Sequence, residues 1–238
     1  MKIDPNFNIK TPRLYIKDDL NASIDLILNP DQSHYIANVM RLKMDDHIRV
    51  FNGKDGEYLC VVTKISKKQV LIKSIKCLRS QPSQSYNIHL YCPLIKKDRF
   101  AWMIEKAIEL GATHIHPFTS DRTQLSKFNH DKTQKHIIEA SEQCERLDIA
   151  CLSDLTSFHN LNFVHPTYCA MERQDNAIFA PNTNDTAPMG VIIGPEGGWS
   201  DNEVTFLSDH NAIIPTSLGD NILRAETAAL FMLSRIGK

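Results

Sequence analysis

Val191-Ile192-Ile193-Gly194-Pro195-Glu196-Gly197-Gly198-Trp199-Ser200-Asp201-Asn202-Glu203 is the run that decides the fold. Val191–Ile193 is a short apolar segment suited to a buried parallel strand, and it leads straight into a glycine-dense turn. Ser200 and Glu203 then have the Ser-x-x-Glu spacing of a capping box, which opens a helix. Strand, tight turn and helix in that order form the repeating unit of an α/β sheet, whose ligands gather at the carboxyl ends of the strands. The turn is therefore expected to line a pocket. It is no P-loop, because no Gly-Lys-Ser/Thr follows, and Pro195 with Glu196 breaks the dinucleotide G-x-G-x-x-G spacing. Glu196 would repel a pyrophosphate from such a site.

The same grammar extends in both directions. Ile88–Cys92, His114–Phe118, Tyr168–Met171 and Ala212–Ile214 read as further strands. Helices are expected from a cap at Asp98 through Leu110, over Lys132–Leu147 and over Asn221–Arg235. Residues 80–238 thus form an α/β domain with a largely parallel sheet. A second strand–loop–helix element, Pro215-Thr-Ser-Leu218-Gly219-Asp-Asn221-Ile222-Leu223-Arg224-Ala-Glu226-Thr227, lies close behind the first. Two such loops in succession point to one shared pocket. Glycine usage agrees: the chain has nine in 238 residues, and five of them (Gly190, Gly194, Gly197, Gly198, Gly219) fall in this region. Average usage is about 7%, so a glycine-poor chain has concentrated the residue where backbone must come close to something.

Residues 1–79 read as mostly β. His47–Phe51, Tyr58–Ser66 and Gln69–Cys77 are strands, with Asn52-Gly53-Lys54-Asp55-Gly56 as a hairpin loop. One helix over Ser33–Met40, capped by Asp31 or Ser33, interrupts them, and a small barrel is expected. Arg79–Tyr86 is polar, contains Pro82 and reads as a linker. The net charge of −1 conceals a division: residues 1–79 hold 14 Lys and Arg against 9 Asp and Glu, and residues 80–238 hold 13 against 19. The basic part could meet a polyanion or simply be well solvated. No N-terminal apolar leader or membrane-length run is present, and the six cysteines form no C-x-x-C pair. A cytoplasmic protein with buried, reduced thiols and no membrane association is expected.

The two glycine-bearing segments closely resemble the last two signature motifs of SPOUT-class methyltransferases. Within that class they resemble the RsmE-type family, which methylates N3 of a uridine in small-subunit (16S) ribosomal RNA. The resemblance continues through Thr11-Pro-Arg13-Leu-Tyr, His34-Tyr-Ile-Ala-Asn-Val-Met-Arg41-Leu-Lys43, Lys96-Lys-Asp-Arg99 to Thr113, and Glu139 to Arg146. It implies a trefoil-knotted parallel-sheet domain over 80–238, a PUA-like β-barrel RNA-binding domain over 1–79, and a homodimer. It further implies S-adenosyl-L-methionine as cofactor, held at Gly194, Pro195, Glu196, Gly197, Gly198, Leu218, Gly219, Ile222, Leu223 and Thr227. The partner would be 16S rRNA within the assembled small subunit, contacted by Arg13, Arg41, Lys43 and Arg122.

The chemistry suits those residues. A methyl sulfonium donor needs no anion cradle, so Glu196 is tolerable, and transfer relies on positioning. Uracil N3 carries a proton and is a poor nucleophile until it leaves. Arg224 is expected to stabilise negative charge on the uracil carbonyl oxygens; Glu226 and Glu196 would orient Arg224 or accept the proton. Two other outcomes share these motifs: transfer to a ribose 2′-hydroxyl or another base, and a non-catalytic RNA-binding ribosome-assembly factor. Asn221 stands where the family usually has a second basic residue, and Ile149-Ala150 lacks the usual proline. His114-x-His116 places two imidazoles on one strand face with no third ligand at a clear spacing, so no metal is expected. Trp102 is read as a core or dimer-interface residue.

Overall fold

A computed structural model of the chain describes residues 11–66, 69–82, 87–125, 127–172, 177–181 and 187–236; part of the expected linker lies outside them. The chain divides into two compact units, Met1–Gln84 with Ser141–Ile149, and Ser85–Ala140 with Ala150–Lys238.

The first unit contains β1 (Arg13–Tyr15), β2 (Asp25–Ile27), α1 (Pro30–His34), β3 (His47–Phe51), β4 (Glu57–Ile65) and β5 (Val70–Arg79). The strands form one sheet in the order β1-β3-β4-β5-β2, with β1 parallel to β3 and every other pair antiparallel. The β3–β4 connection is the expected hairpin, with Gly53 and Gly56 at φ of 87° and 92°. Irregularities in the β4–β5 register bend the sheet around a core of Ile36, Ile48, Val50, Val62, Val70 and Ile72. The expected helix over Ser33–Met40 is displaced. Asn29, not Asp31 or Ser33, caps it in a reciprocal capping box with Gln32, and Pro30 occupies its first turn. Ser33 instead donates its hydroxyl to the Leu28 carbonyl at 3.0 Å. Tyr35–Val39 then widens into a π turn, and Arg41 at φ 56° ends it.

Beneath this sheet lies a buried ionic cluster. Glu57, with a side chain 0% exposed, is bound by Arg13 at 2.5 Å and Arg79 at 2.8 Å, with Arg49 3.8 Å away. Arg49 also reaches Glu145 at 2.9 Å. Arg13 spends its remaining donors on the carbonyls of Ser141, at 2.6 Å, and Arg146. Arg13, expected among the RNA contacts, is instead an interior residue with a side chain 4% exposed. Three of the fourteen basic residues in this part of the chain are therefore internal, and the apparent basic surplus overstates its surface charge.

The second unit contains β6 (Ile88–Pro93), α2 (Lys97–Glu109), β7 (His114–Thr119), most of α3 (His130–Gln143, whose last three residues belong to the first unit), β8 (Cys151–Leu152), β9 (Thr156–Ser157), β10 (Thr167–Ala170), β11 (Met189–Ile192), α4 (Asp201–Asp209), β12 (Ile213–Thr216) and α5 (Ala225–Ile236). The sheet order is β12-β10-β11-β6-β7-β8, with β9 beside β7, and all of its described ladders are parallel. The chain moves outward from β6 through β7 to β8, then returns to build β10, β11 and β12 on the other side. The boundary between β6 and β11 is thus a topological switch point. α5 packs on β6, β11 and α2; Tyr91, Phe118, Phe158, Ile192 and Leu207 form a separate core cluster.

Three helix boundaries differ from expectation. α2 begins at Lys97 with no side-chain cap, and Asp98 lies inside its first turn, where a carboxylate favours the helix dipole. α3 stops at Gln143, well short of Leu147; Glu145 at φ 60° cannot continue a helix. α5 begins at Ala225, leaving Asn221–Arg224 in the loop. Cys60, Cys92 and Cys169 are buried, and burial pushes the Cys60 thiol up to about 12; Cys77 and Cys151 are exposed.

His114-x-His116 belongs to a larger array. His89 stacks on His114 with ring centroids 4.2 Å apart and on His116 at 5.2 Å, while His165 lies 5.0 Å from His89 and Tyr91 4.5 Å from His116. Among the described residues no group of His, Cys, Asp and Glu could hold a metal ion. Burial, reinforced by neighbouring imidazoles, lowers His89 and His116 to about 4 and lowers His114 as well. In the unfolded chain these groups titrate near 6.5. Between that value and about 4 the unfolded state binds more protons, so stability falls as pH drops through this window. The urea midpoint read by tryptophan fluorescence is expected to drop between pH 7 and pH 5, less steeply in a His89→Gln/His116→Gln variant.

Candidate active site

The site is assembled at the carboxyl ends of β6, β11 and β12. After β11 the chain makes the turn Gly194–Gly198, and the helix that follows is fixed by the predicted capping box: Ser200 Oγ accepts from the Glu203 amide and Glu203 Oε2 from the Ser200 amide. Glu203 also accepts from the Asp121 amide at 3.0 Å, and Ser200 donates to Asp121 at 2.6 Å.

The glycines of the turn have separate reasons to be glycine. A Cβ on Gly194 would sit 3.0 Å from the Trp199 indole, one on Gly197 3.1 Å from Arg122 Cβ, and Gly198 has φ 71°. Trp199 is itself held between Phe118 and Phe158, with its Nε1 directed at the Ala170 carbonyl at 3.4 Å. Gly194→Val is expected to force Trp199 from this slot at a cost of about 1–3 kcal/mol. A lowered thermal midpoint with a shifted tryptophan emission maximum would register it.

The second loop, Ser217–Arg224, leaves β12 and leads to α5. Gly219 has φ 111° and nothing within 4 Å of where its Cβ would be. Ile222 is 58% exposed although apolar. Among the described residues, the amides of Leu218, Ile222 and Leu223 donate to no protein acceptor. A loop that presents open glycine, bare amides and an uncovered aliphatic side chain can hold an apolar ligand with hydrogen-bonding edges.

The charged residues divide unexpectedly. Arg224 is exposed, and its side chain has no partner among the described residues. Glu196 and Glu226 both turn to Arg99 instead. Arg99 Nη1 lies 3.2 Å from Glu196 Oε1, and its Nε lies 3.7 Å from Glu226 Oε1. The expected orienting contact from either carboxylate to Arg224 is therefore absent among the described residues. Arg99 carried no spacing signal relative to Glu196 or Glu226; only the switch-point order of β6 and β11 brings it there.

The other expected residues are placed as follows. Pro195 is buried, Glu196 and Gly197 are exposed, and Thr227 lies on the exposed side of α5. Arg122 donates to the Gly197 carbonyl at 3.1 Å and so supports the glycine turn. Arg41 and Lys43 are exposed in the first unit. Trp102 is 45% exposed on α2 and is not a core residue.

Comparison with known proteins places the chain as a whole. A family model described as an RNA methyltransferase domain matches residues 82–237, and one described as an RNA methyltransferase PUA domain matches residues 28–73. Ribosomal RNA small subunit methyltransferase E of Rickettsia conorii is 32% identical over 237 residues, covering 96% of each chain. A Legionella pneumophila protein solved with bound SAM superposes with a TM-score of 0.84 at 28% identity, over 95% of this chain and 96% of that one. The small subunit methyltransferase E of Neisseria gonorrhoeae shares the fold, with a TM-score of 0.82 at 22% identity over 94% and 95% of the two chains. With one family model spanning most of the second unit and a relative of this identity aligned end to end, the chain belongs to the RNA methyltransferase family of the ribosomal RNA small subunit methyltransferase E proteins.

Proposed function

We propose that this protein uses S-adenosyl-L-methionine to methylate N3 of a uridine in 16S rRNA of the small ribosomal subunit. The observation that carries the reading is an exposed arginine, Arg224, without a polar partner among the described residues, at the end of a loop built to accept an apolar, hydrogen-bonding ligand. The residues fit the cofactor: the bare amides of Leu218, Ile222 and Leu223 suit the edge of an adenine, Ile222 offers it an apolar wall, and Gly219 leaves room. When bound, S-adenosylmethionine supplies an electrophilic methyl group. Nothing in the Gly194–Gly198 turn would repel its sulfonium, and Glu196 carries the opposite charge.

Arg224 acts on the acceptor. Its guanidinium, not neutralised by a carboxylate, stabilises negative charge on the uracil carbonyl oxygens and so lowers the cost of losing the N3 proton. The N-terminal domain read over 1–79 docks RNA in this proposal. Exposed Arg41 and Lys43 lie beside exposed Val39, Met40 and Met44, a mixture of cations for phosphate and apolar side chains for unpaired bases. The knotted path of the C-terminal segment belongs to the same reading. It is supported by Ala177–Phe179, which precedes β11 yet pairs with Ser217 beyond β12. So does a homodimer, for which Trp102 supplies an exposed aromatic surface. No helix among the described residues is long and apolar enough to cross a membrane.

The decisive experiment incubates the protein with S-adenosylmethionine and either assembled small subunits or naked rRNA, then digests the RNA for mass spectrometry. N3-methyluridine is the expected product. A 2′-O-methyl nucleoside would change the acceptor, and no transfer despite cofactor binding would indicate an RNA-binding assembly factor.

A further inference from the structure

We propose that Arg99 is a positioning residue of the methyl-transfer site: by holding Glu196 and Glu226 together it fixes the glycine turn against the loop that carries Arg224. This rests on the methyltransferase reading. Arg99 is the third residue of α2, immediately beyond β6, while Glu196 follows β11 and Glu226 is the second residue of α5. One guanidinium therefore links the ends of three elements distant in sequence, at 3.2 Å to Glu196 and 3.7 Å to Glu226.

Glu226 argues for a purpose beyond local structure. A carboxylate in the first turn of a helix ordinarily serves the unpaired amides there. Glu226 does not: its side chain is 9% exposed, and its Oε2 is buried with no hydrogen-bond partner among the described residues. A buried carboxylate with one oxygen unsatisfied is costly unless a cation compensates it, and among the described residues Arg99 is the cation beside it. Glu196, for its part, is not needed to form the turn, whose shape rests on Gly194, Gly197 and Gly198. What the two carboxylates have in common is Arg99. The planar fork of arginine can address two acceptors at once, which the single ammonium of lysine does poorly. Because Arg99 occupies both acids, Arg224 is left with its charge uncommitted two residues from Glu226.

The test measures S-adenosylmethionine binding by calorimetry and steady-state methyl transfer to small subunits for the full chain and for Arg99→Gln, Arg99→Lys, Glu196→Gln and Arg99→Gln/Glu196→Gln. Arg99→Gln is expected to raise the Kd and KM for S-adenosylmethionine about tenfold, with kcat at saturation within about threefold of the parent. Arg99→Lys should fall between the two. Glu196→Gln should weaken binding about threefold, and the double variant should be no worse than Arg99→Gln, since both changes cut one linkage. Binding by Arg99→Gln within twofold of the parent, or additive effects in the double variant, would overturn the proposal. If Arg99→Gln lacks a cooperative thermal transition, Arg99→Lys and Glu196→Gln decide, and unchanged binding in both overturns it. Failure of the parent chain itself to bind S-adenosylmethionine is a different result, and sinks the cofactor assignment on which the proposal stands.

Discussion

Arg224→Ala lowers the single-turnover rate of methyl transfer, at saturating S-adenosylmethionine and small subunits, by about 100-fold or more while the cofactor Kd stays within about threefold. The magnitude is that of removing one preorganised donor from a site where charge develops. Binding is spared because Arg224 offers a side chain to the acceptor, whereas the neighbouring loop meets the cofactor with backbone and aliphatic groups. Arg224 is exposed, and its guanidinium makes no hydrogen bond or ion pair among the described residues, so its removal breaks no polar contact there. Arg224→Lys recovers part of the rate, because the charge survives and the two-donor geometry does not. The pH dependence gives a second readout. If Arg224 eases loss of the N3 proton, its removal displaces the rising limb of the pH–rate profile to higher pH. A fall in rate with no displacement would mean that Arg224 only positions the base.

Much of this site is readable along the chain, and what is not has one cause. The Gly194–Gly198 turn, the Ser200–Glu203 capping box and the second loop from Leu218 are local patterns, each set by a few neighbouring residues, and the structure contains all three. The start of α5 is displaced by four residues from the expected Asn221, because apolar Ile222 and Leu223 fit a helical period whether or not they are helical. Arg99 is the opposite case. Nothing near residue 99 indicates a partner at 196 or 226, because those partners follow from β11 being laid down beside β6 after the chain has gone out to β8 and returned. Arg13 fails for the same reason: a basic residue in a family motif suggests RNA, and only the tertiary fold reveals a carboxylate waiting 44 positions away. Short strands such as β1, β2, β8 and β9 have too few residues to show a period at all.

Glu57→Gln is expected to be strongly destabilising for a conservative single substitution, costing about 3–5 kcal/mol. Burial alone would raise the pKa of Glu57, but hydrogen bonds from Arg79 and Arg13, with their charges, outweigh it and leave the carboxyl below its usual range. Gln keeps the shape and loses the charge. Arg13 and Arg79 are then buried beside a neutral amide that cannot accept from both as a carboxylate does, while Glu145 lies 2.9 Å from Arg49 and 4.0 Å from Arg79. Arg79 Nη2 already has no hydrogen-bond partner among the described residues, so a further loss of acceptor there is not readily made good. The loss should be confined to the first unit, which contains neither tryptophan; Trp102 and Trp199 both lie in the second. Denaturation followed by far-ultraviolet circular dichroism should therefore show an early phase that tryptophan fluorescence does not. The sign with pH follows from the lowered pKa: the contribution of Glu57 is complete above its unfolded value of about 4.3 and is lost as pH falls through the folded one. Parent and variant should converge in stability under strong acid and diverge most at neutral pH. Coincident transitions by the two probes, or a stability difference independent of pH, would show that Glu57 is not the charge on which that cluster depends.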